Sequence, residues 1–180
     1  PTRWTLQARG AAFIPLKQQL RSIFVSGEPT MQLESSYAIF KDKWTKCDQL
    51  LLWENVSWTS KSGELPAWGY HTKLNLIPIS VGLSYQVNIV RNVDFYFGLG
   101  PTYSFLRMKI KYPFDNVHIK RSQFGFMTKT GFRFTFATNY FFDIFGDYYF
   151  TEFSKINHYV PRINKVFNGF FVGGGFGGKW

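Results

Sequence analysis

The chain has 180 residues, 21% of them aromatic (21 Phe, 10 Tyr, 6 Trp) and 18% charged, with a formal net charge of +10. So many rings exclude intrinsic disorder, and no run reaches the ~18 apolar residues of a spanning helix, which excludes helical membrane proteins but not barrels. Cys47 is the single cysteine, so neither a disulfide framework nor a cysteine-based zinc site is possible.

Period-2 alternation, the mark of a β-strand, begins at once. Trp4, Leu6, Ala8, Ala12 and Ile14 alternate with Thr5, Gln7, Arg9 and Phe13. Met31, Leu33, Tyr37 and Ile39 alternate with Gln32, Glu34 and Ser36. Leu50, Leu52, Val56 and Trp58 form a third face, interrupted by Glu54, so both orientations of that strand stay open. In Leu76–Val87 the apolar set is Ile77, Ile79, Val81, Leu83, Tyr85 and Val87, opposite Ser80, Gly82, Ser84 and Gln86. In Val93–Phe105 a row from Phe95 to Phe105 stands opposite Asp94, Tyr96, Gly98, Gly100, Thr102 and Ser104. From Gln123, five phenylalanines between Phe124 and Phe136 oppose Gln123, Lys129 and Arg133. Phe142, Ile144, Tyr148 and Phe150 alternate with Asp143, Phe145, Asp147 and Tyr149. The last segment sets Phe170, Val172, Phe176 and Trp180 against Phe171, Gly173, Gly175, Gly177 and Lys179.

Eight strands and no helix follow. The connections alternate: 15–30, 59–72, 107–121 and 153–167 read as long polar loops, whereas 41–48, 88–92 and 137–139 are short. Long strands with turns on one side and long loops on the other are the pattern of a transmembrane barrel. A soluble sandwich would carry Lys and Glu on its polar face, but here that face is rich in Gly, Ser, Thr and Gln, which suit a narrow interior. Its charges balance: Arg9, Lys129, Arg133 and Lys179 share the inner face with Glu34, Asp94, Asp143 and Asp147, and such groups persist in a lumen only as paired networks. Trp4, Trp58, Tyr85, Phe105, Tyr140 and Trp180 lie toward strand ends, as girdle residues do.

The stretch DFYFGLGPTYSF (Asp94–Phe105) is similar to a Y-x-G-x-G-x-x-Y strand, and FGFMTKTGFRFTFATNYFFDIFGDYYF (Phe124–Phe150) to a Gly-centred strand, short turn and acidic-aromatic strand. On these segments the chain resembles the small opacity-protein, OmpX and OmpW-like barrels. The resemblance implies an all-β, antiparallel up-and-down transmembrane barrel of eight strands, with residues 1–180 as one domain. It also implies a Gram-negative-type outer membrane and both termini in the periplasm. The ending FFVGGGFGGKW resembles the sorting signal read by the outer-membrane insertion machinery, carried by Phe170, Val172, Phe176 and Trp180, with Gly178 where an aromatic is more usual. No activity is implied, since such barrels include adhesins, structural barrels, narrow channels and lipid enzymes.

Chemistry is sparse. His71, His118 and His158 fall in the expected loops, and none stands in the His-x-Ser-Asn stretch of the lipid A deacylases. Neither a metal nor a cofactor site is expected, because no His pair at i, i+4 and no dense carboxylate cluster occurs. Charge is more informative: the four long loops hold eleven Lys and Arg against Glu28, Glu64 and Asp115, which is +8 of the +10. In the third loop, Arg107, Lys109, Lys111, Lys120 and Arg121 bracket Tyr112 and Phe114. These cations suit the phosphates of lipopolysaccharide, with a sulfated or sialylated glycan as the other anionic partner and an ordinary solvated surface as the plain alternative. Nucleic acid is not expected, because rings sit on strands and cations in loops, whereas single-strand binders interleave them. The expected function is a non-enzymatic outer-membrane barrel with a structural, surface-interaction or accessory-subunit role among other envelope proteins. A narrow channel for small hydrophobic molecules is the alternative, and a lipid A-modifying enzyme a third.

Overall fold

Aromatic and β-branched side chains alternating on a pleated backbone leave one set on each face, and the described strands follow that rule. A computed structural model describes residues 3–16, 28–42, 47–64, 71–111, 116–152 and 166–180. It contains β1 (Trp4–Pro15), β2 (Glu28–Lys41), β3 (Asp48–Glu64), β4 (His71–Val90), β5 (Val93–Lys111), β6 (Asn116–Phe136), β7 (Tyr140–Glu152) and β8 (Val166–Lys179). Each strand pairs antiparallel with its sequence neighbours, and β1 pairs with β8, so the eight strands close into a barrel with no free edge.

Register fixes the shape. The partners of Trp4 run through Tyr37, Leu52, Leu83, Leu99, Thr128, Tyr148 and Phe170 and return to β1 at Ile14, an offset of 14 − 4 = 10 residues. With ordinary strand spacings that offset tilts the strands by about 40°. Two prolines each interrupt one ladder, because proline has no N–H to give. Pairing of β3 with β4 lapses between Val56↔Ile79 and Thr59↔Leu76, beside Pro78, and pairing of β4 with β5 lapses between Ser80↔Thr102 and Leu83↔Leu99, beside Pro101. At the turn end, β4 and β5 are joined by Arg91 and Asn92, and Asn92 takes the left-handed conformation (φ 69°) that such a turn demands.

The outer face carries Leu33, Val56, Leu99, Phe124, Phe132 and Phe176, all exposed. An apolar band continuing round the whole barrel is far larger than a monomer can show to water, and it matches the hydrocarbon-facing belt of a transmembrane barrel. The open question of β3 is resolved by burial: Trp53, Asn55 and Ser57 point inward, while Leu52, Glu54, Val56 and Trp58 point outward.

Strand ends differ from the sequence expectation. The loops expected at 59–72 and 107–121 are largely strand, for β3 runs to Glu64, β4 starts at His71, β5 runs to Lys111 and β6 starts at Asn116. The physical reason is an inner face that stays apolar. Leu74, Leu76, Leu106, Met108 and Ile119 are buried and cluster with Phe13, Tyr149, Phe167 and Phe171, while the outer positions between them turn basic. Of the expected loops, 17–27, 65–70, 112–115 and 153–165 lie outside the described residues, and with them Tyr112, Phe114 and His158. His71 and His118 are strand residues, which corrects their expected place in loops.

Candidate functional site

Strand alternation delivers the charges of the central network into the lumen from β1, β2, β6 and β7, where burial forces them to find partners. Arg9 is the centre. Its Nη1 lies 3.0 Å from Glu34 Oε2 and 2.8 Å from Asp147 Oδ2, and its Nε lies 3.2 Å from Asp143 Oδ2. Its Nη2 donates to the Tyr96 hydroxyl (2.9 Å), which in turn donates to Asp143 Oδ1 (2.9 Å). The guanidinium stacks 3.3 Å over the Phe145 ring. Lys129 pairs with Glu34 and faces the Trp53 ring, while Gln7 and Asn55 donate to the remaining Glu34 lone pairs at 2.8 and 3.1 Å.

Glycine opens the room for these bulky groups. A Cβ at Gly131 would strike the Tyr96 hydroxyl, and one at Gly82 would lie 2.8 Å from Trp53 Cζ2. One at Gly175 would lie 2.8 Å from Arg9 Cγ.

Nearer the turn end a second network forms. Asp94 accepts from Gln86 Nε2 and Asn88 Nδ2, both at 2.8 Å, and lies 3.9 Å from Lys179 Nζ. Lys179 donates to Thr135 Oγ1 at 2.8 Å. Arg133 departs from the expected carboxylate pairing. Its Nη1 donates to Gln86 Oε1 (3.0 Å) and its guanidinium lies 4.2 Å from the Phe141 ring, whereas Asp143, its register partner, is engaged by Arg9 and Tyr96. Above Arg9, toward the far end from the turns, the lumen holds an apolar layer: the Phe13, Tyr149 and Phe171 rings contact one another with centroids 4.8 to 6.4 Å apart, and buried hydroxyl groups pair beside them, Thr30 with Thr59 and Ser104 with Tyr149. This apolar layer escaped the sequence reading, although Leu106, Met108 and Ile110 alternating with Arg107, Lys109 and Lys111 already carried its signal.

The five cations expected to act together are divided by the structure. Arg107, Lys109 and Lys120 are exposed on the outer face of the β5–β6 hairpin. Arg121 has the inward parity, opposite Leu106, and is half-buried; Lys111 belongs to β5, but its side chain lies outside the described residues. Lys73, which the sequence reading passed over, joins the outer group. Two cross-strand rows result: Lys73↔Lys109↔His118 and, one step below, Asn75↔Arg107↔Lys120. Directly beneath comes Ile77↔Phe105↔Ser122, then Ile79↔Tyr103↔Phe124, the upper rim of the apolar belt. Like charges opposite one another on a sheet repel, and these rows concentrate positive charge just above an apolar rim. Glu152 on β7 is an exposed carboxylate on that side. Phe170, Val172, Phe176 and Trp180 all point outward from β8 or its end, in the belt.

No protein-family model matches the chain, and no curated protein does. Solved structures do. The Neisserial surface protein A is 15% identical with a TM-score of 0.62, covering 98% of this chain and 97% of its own. A major outer membrane protein from Thermus thermophilus is 12% identical with a TM-score of 0.64, covering 98% and 99%. Ail, the attachment invasion locus protein of Yersinia pestis, solved with the heparin analogue sucrose octasulfate, is 15% identical with a TM-score of 0.57, covering 98% and 97%. Closed strand order, apolar outer belt and end-to-end structural likeness agree, and the fold of this chain is that of the small eight-stranded outer-membrane β-barrels.

Proposed function

We propose that this protein is a sealed, non-enzymatic outer-membrane barrel that serves as a surface platform held among lipopolysaccharide molecules by its basic collar. On this reading both termini and the short turns are periplasmic, and the β5–β6 hairpin rises through the outer leaflet. The observation that carries it is the pairing of like charges, Lys73 with Lys109 and Arg107 with Lys120, immediately above Phe105 and Phe124. Cross-strand cations are unfavourable unless a polyanion lies over them, and phosphates just above the hydrocarbon edge would do so through charge-assisted hydrogen bonds. The interior supports the non-conducting part: ion pairs fill its middle and packed rings its far half. Recognition by the insertion machinery through the outward residues of β8 belongs to the same reading.

The test is lipopolysaccharide binding to the refolded barrel across a salt series. Each cation near an anionic surface is worth about 1 kcal/mol, so replacing Lys73, Arg107, Lys109 and Lys120 together by Gln should weaken binding by roughly 3–4 kcal/mol at low salt and flatten the salt dependence. Arg121→Gln should leave both unchanged, because that residue has the inward parity. An unaltered affinity and salt slope in the fourfold variant would contradict the proposal.

A further inference from the structure

Glu54 does not belong where it stands. It is exposed on the outer face of β3, between Leu52 and Val56, with Ser35 and Val81 as its cross-strand partners. It lies six positions from the start of β3 at Asp48, which at ordinary rise and a 40° tilt is about 15 Å, near the middle of a belt of about 25 Å. Other exposed charges on the described outer face, such as Arg91, Arg107, Lys109 and Glu152, lie at strand ends, outside the belt. Hydrocarbon offers a carboxyl group no hydrogen bond, and an ionisable side chain at that depth persists where another group answers it. No described residue forms an ion pair or hydrogen bond with it.

A second asymmetry falls on the same side. Around β5–β8 the belt is dense with rings: Phe97, Phe126, Phe132, Phe142, Phe150 and Phe176. Around Glu54 it is aliphatic instead of aromatic, with Leu6, Leu33, Ser35, Leu52, Val56 and Val81, and the neighbouring rings, Tyr37 and Trp58, stand at the margins. Contacts between proteins inside a membrane gather polar side chains, such as Ser35, that hydrogen-bond across the interface.

We propose that the β2–β4 face centred on Glu54 and Ser35 docks a second, different membrane-embedded protein, which brings a lysine or arginine side chain to the middle of the bilayer. Charge complementarity selects this occupant. A second copy of this chain in the same membrane has the same orientation, and its described outward cations lie at the strand ends, so it places none at the depth of Glu54. Lipid headgroup cations sit at the interface, and the interior cations Arg9 and Lys129 are engaged behind the wall.

The test uses the full chain in its native outer membrane, with a photo-crosslinking residue at Val56 or, on the opposite side, at Phe132, read by mass spectrometry of the adducts. The expected result is a discrete integral membrane protein captured from Val56 and not from Phe132, with the crosslinked peptide next to a Lys or Arg in its own belt. Glu54→Leu should lower that yield at least tenfold, while the unfolding midpoint of the refolded barrel holds or rises. Pairing Glu54→Lys with a Glu at the partner's cation should restore the adduct. Adducts to lipid alone, adducts between two copies of the chain, equal capture at both positions, or a yield indifferent to Glu54→Leu would each overturn the proposal. So would a lowered unfolding midpoint in Glu54→Leu, which would make the carboxylate structural.

Discussion

Arg9 reaches Glu34, Asp143 and Asp147 with one guanidinium and holds the Tyr96 hydroxyl with the same group. Removing it would leave three carboxylates facing Lys129 alone, and breaking a buried pair by deleting one partner costs about 3–5 kcal/mol. Arg9→Met is therefore expected to lower the urea midpoint of the barrel in detergent by that amount. Arg133 gives up less, since it holds one neutral acceptor, Gln86, and the Phe141 ring; Arg133→Met should cost about 1–2 kcal/mol. Equal losses at the two sites would mean that Arg9 is not the hub. Among the inner charges, the signs and the shared face were readable from period-2 parity, but partner choice was not. Parity puts Arg133, Asp94 and Asp143 on one face; the register that sets Arg133 level with both, and the position of Tyr96 over Gly131 that gives Asp143 to Arg9, belong to the folded barrel.

The β5–β6 hairpin shows both what alternation reveals and where it misleads. Membrane-belt segments were legible because Phe, Tyr and Leu on one parity against Gly, Ser and Thr on the other leave no helical reading. Beyond Phe105 the outer parity changes from rings to cations, and the segment reads as a polar loop if charge is weighed before parity. The inner parity does not change: Leu106 and Met108 continue the row, and Ile119 answers them from β6. Hydrogen exchange tests this directly. The amides of Arg107–Lys111 and of Asn116–Arg121 should exchange as slowly as strand ladders, well below the rate of an open loop, in the refolded barrel without lipopolysaccharide. Rapid exchange there would return the segment to a loop and dissolve the collar. Orientation of β3 was undecidable because Glu54 breaks its outer row; burial of Trp53, made possible by Gly82 and covered by Lys129, decides it.

At the scale of the whole molecule, closure removes every strand edge, and an offset of ten residues over eight strands sets a bore that side chains can fill. Balanced charges occupy the middle of that bore and packed rings the half beneath the basic hairpin. On the proposed reading, function lies on the outside, in the collar and on the Glu54 face, and the interior stays shut. A sealed platform and a conduit make opposite statements about ion flow, and single-channel recording in planar bilayers containing lipopolysaccharide separates them. The wild-type barrel should insert and show no unitary conductance across a wide voltage range. A steady, reproducible open level from the wild-type protein would contradict the sealed lumen and the platform built on it.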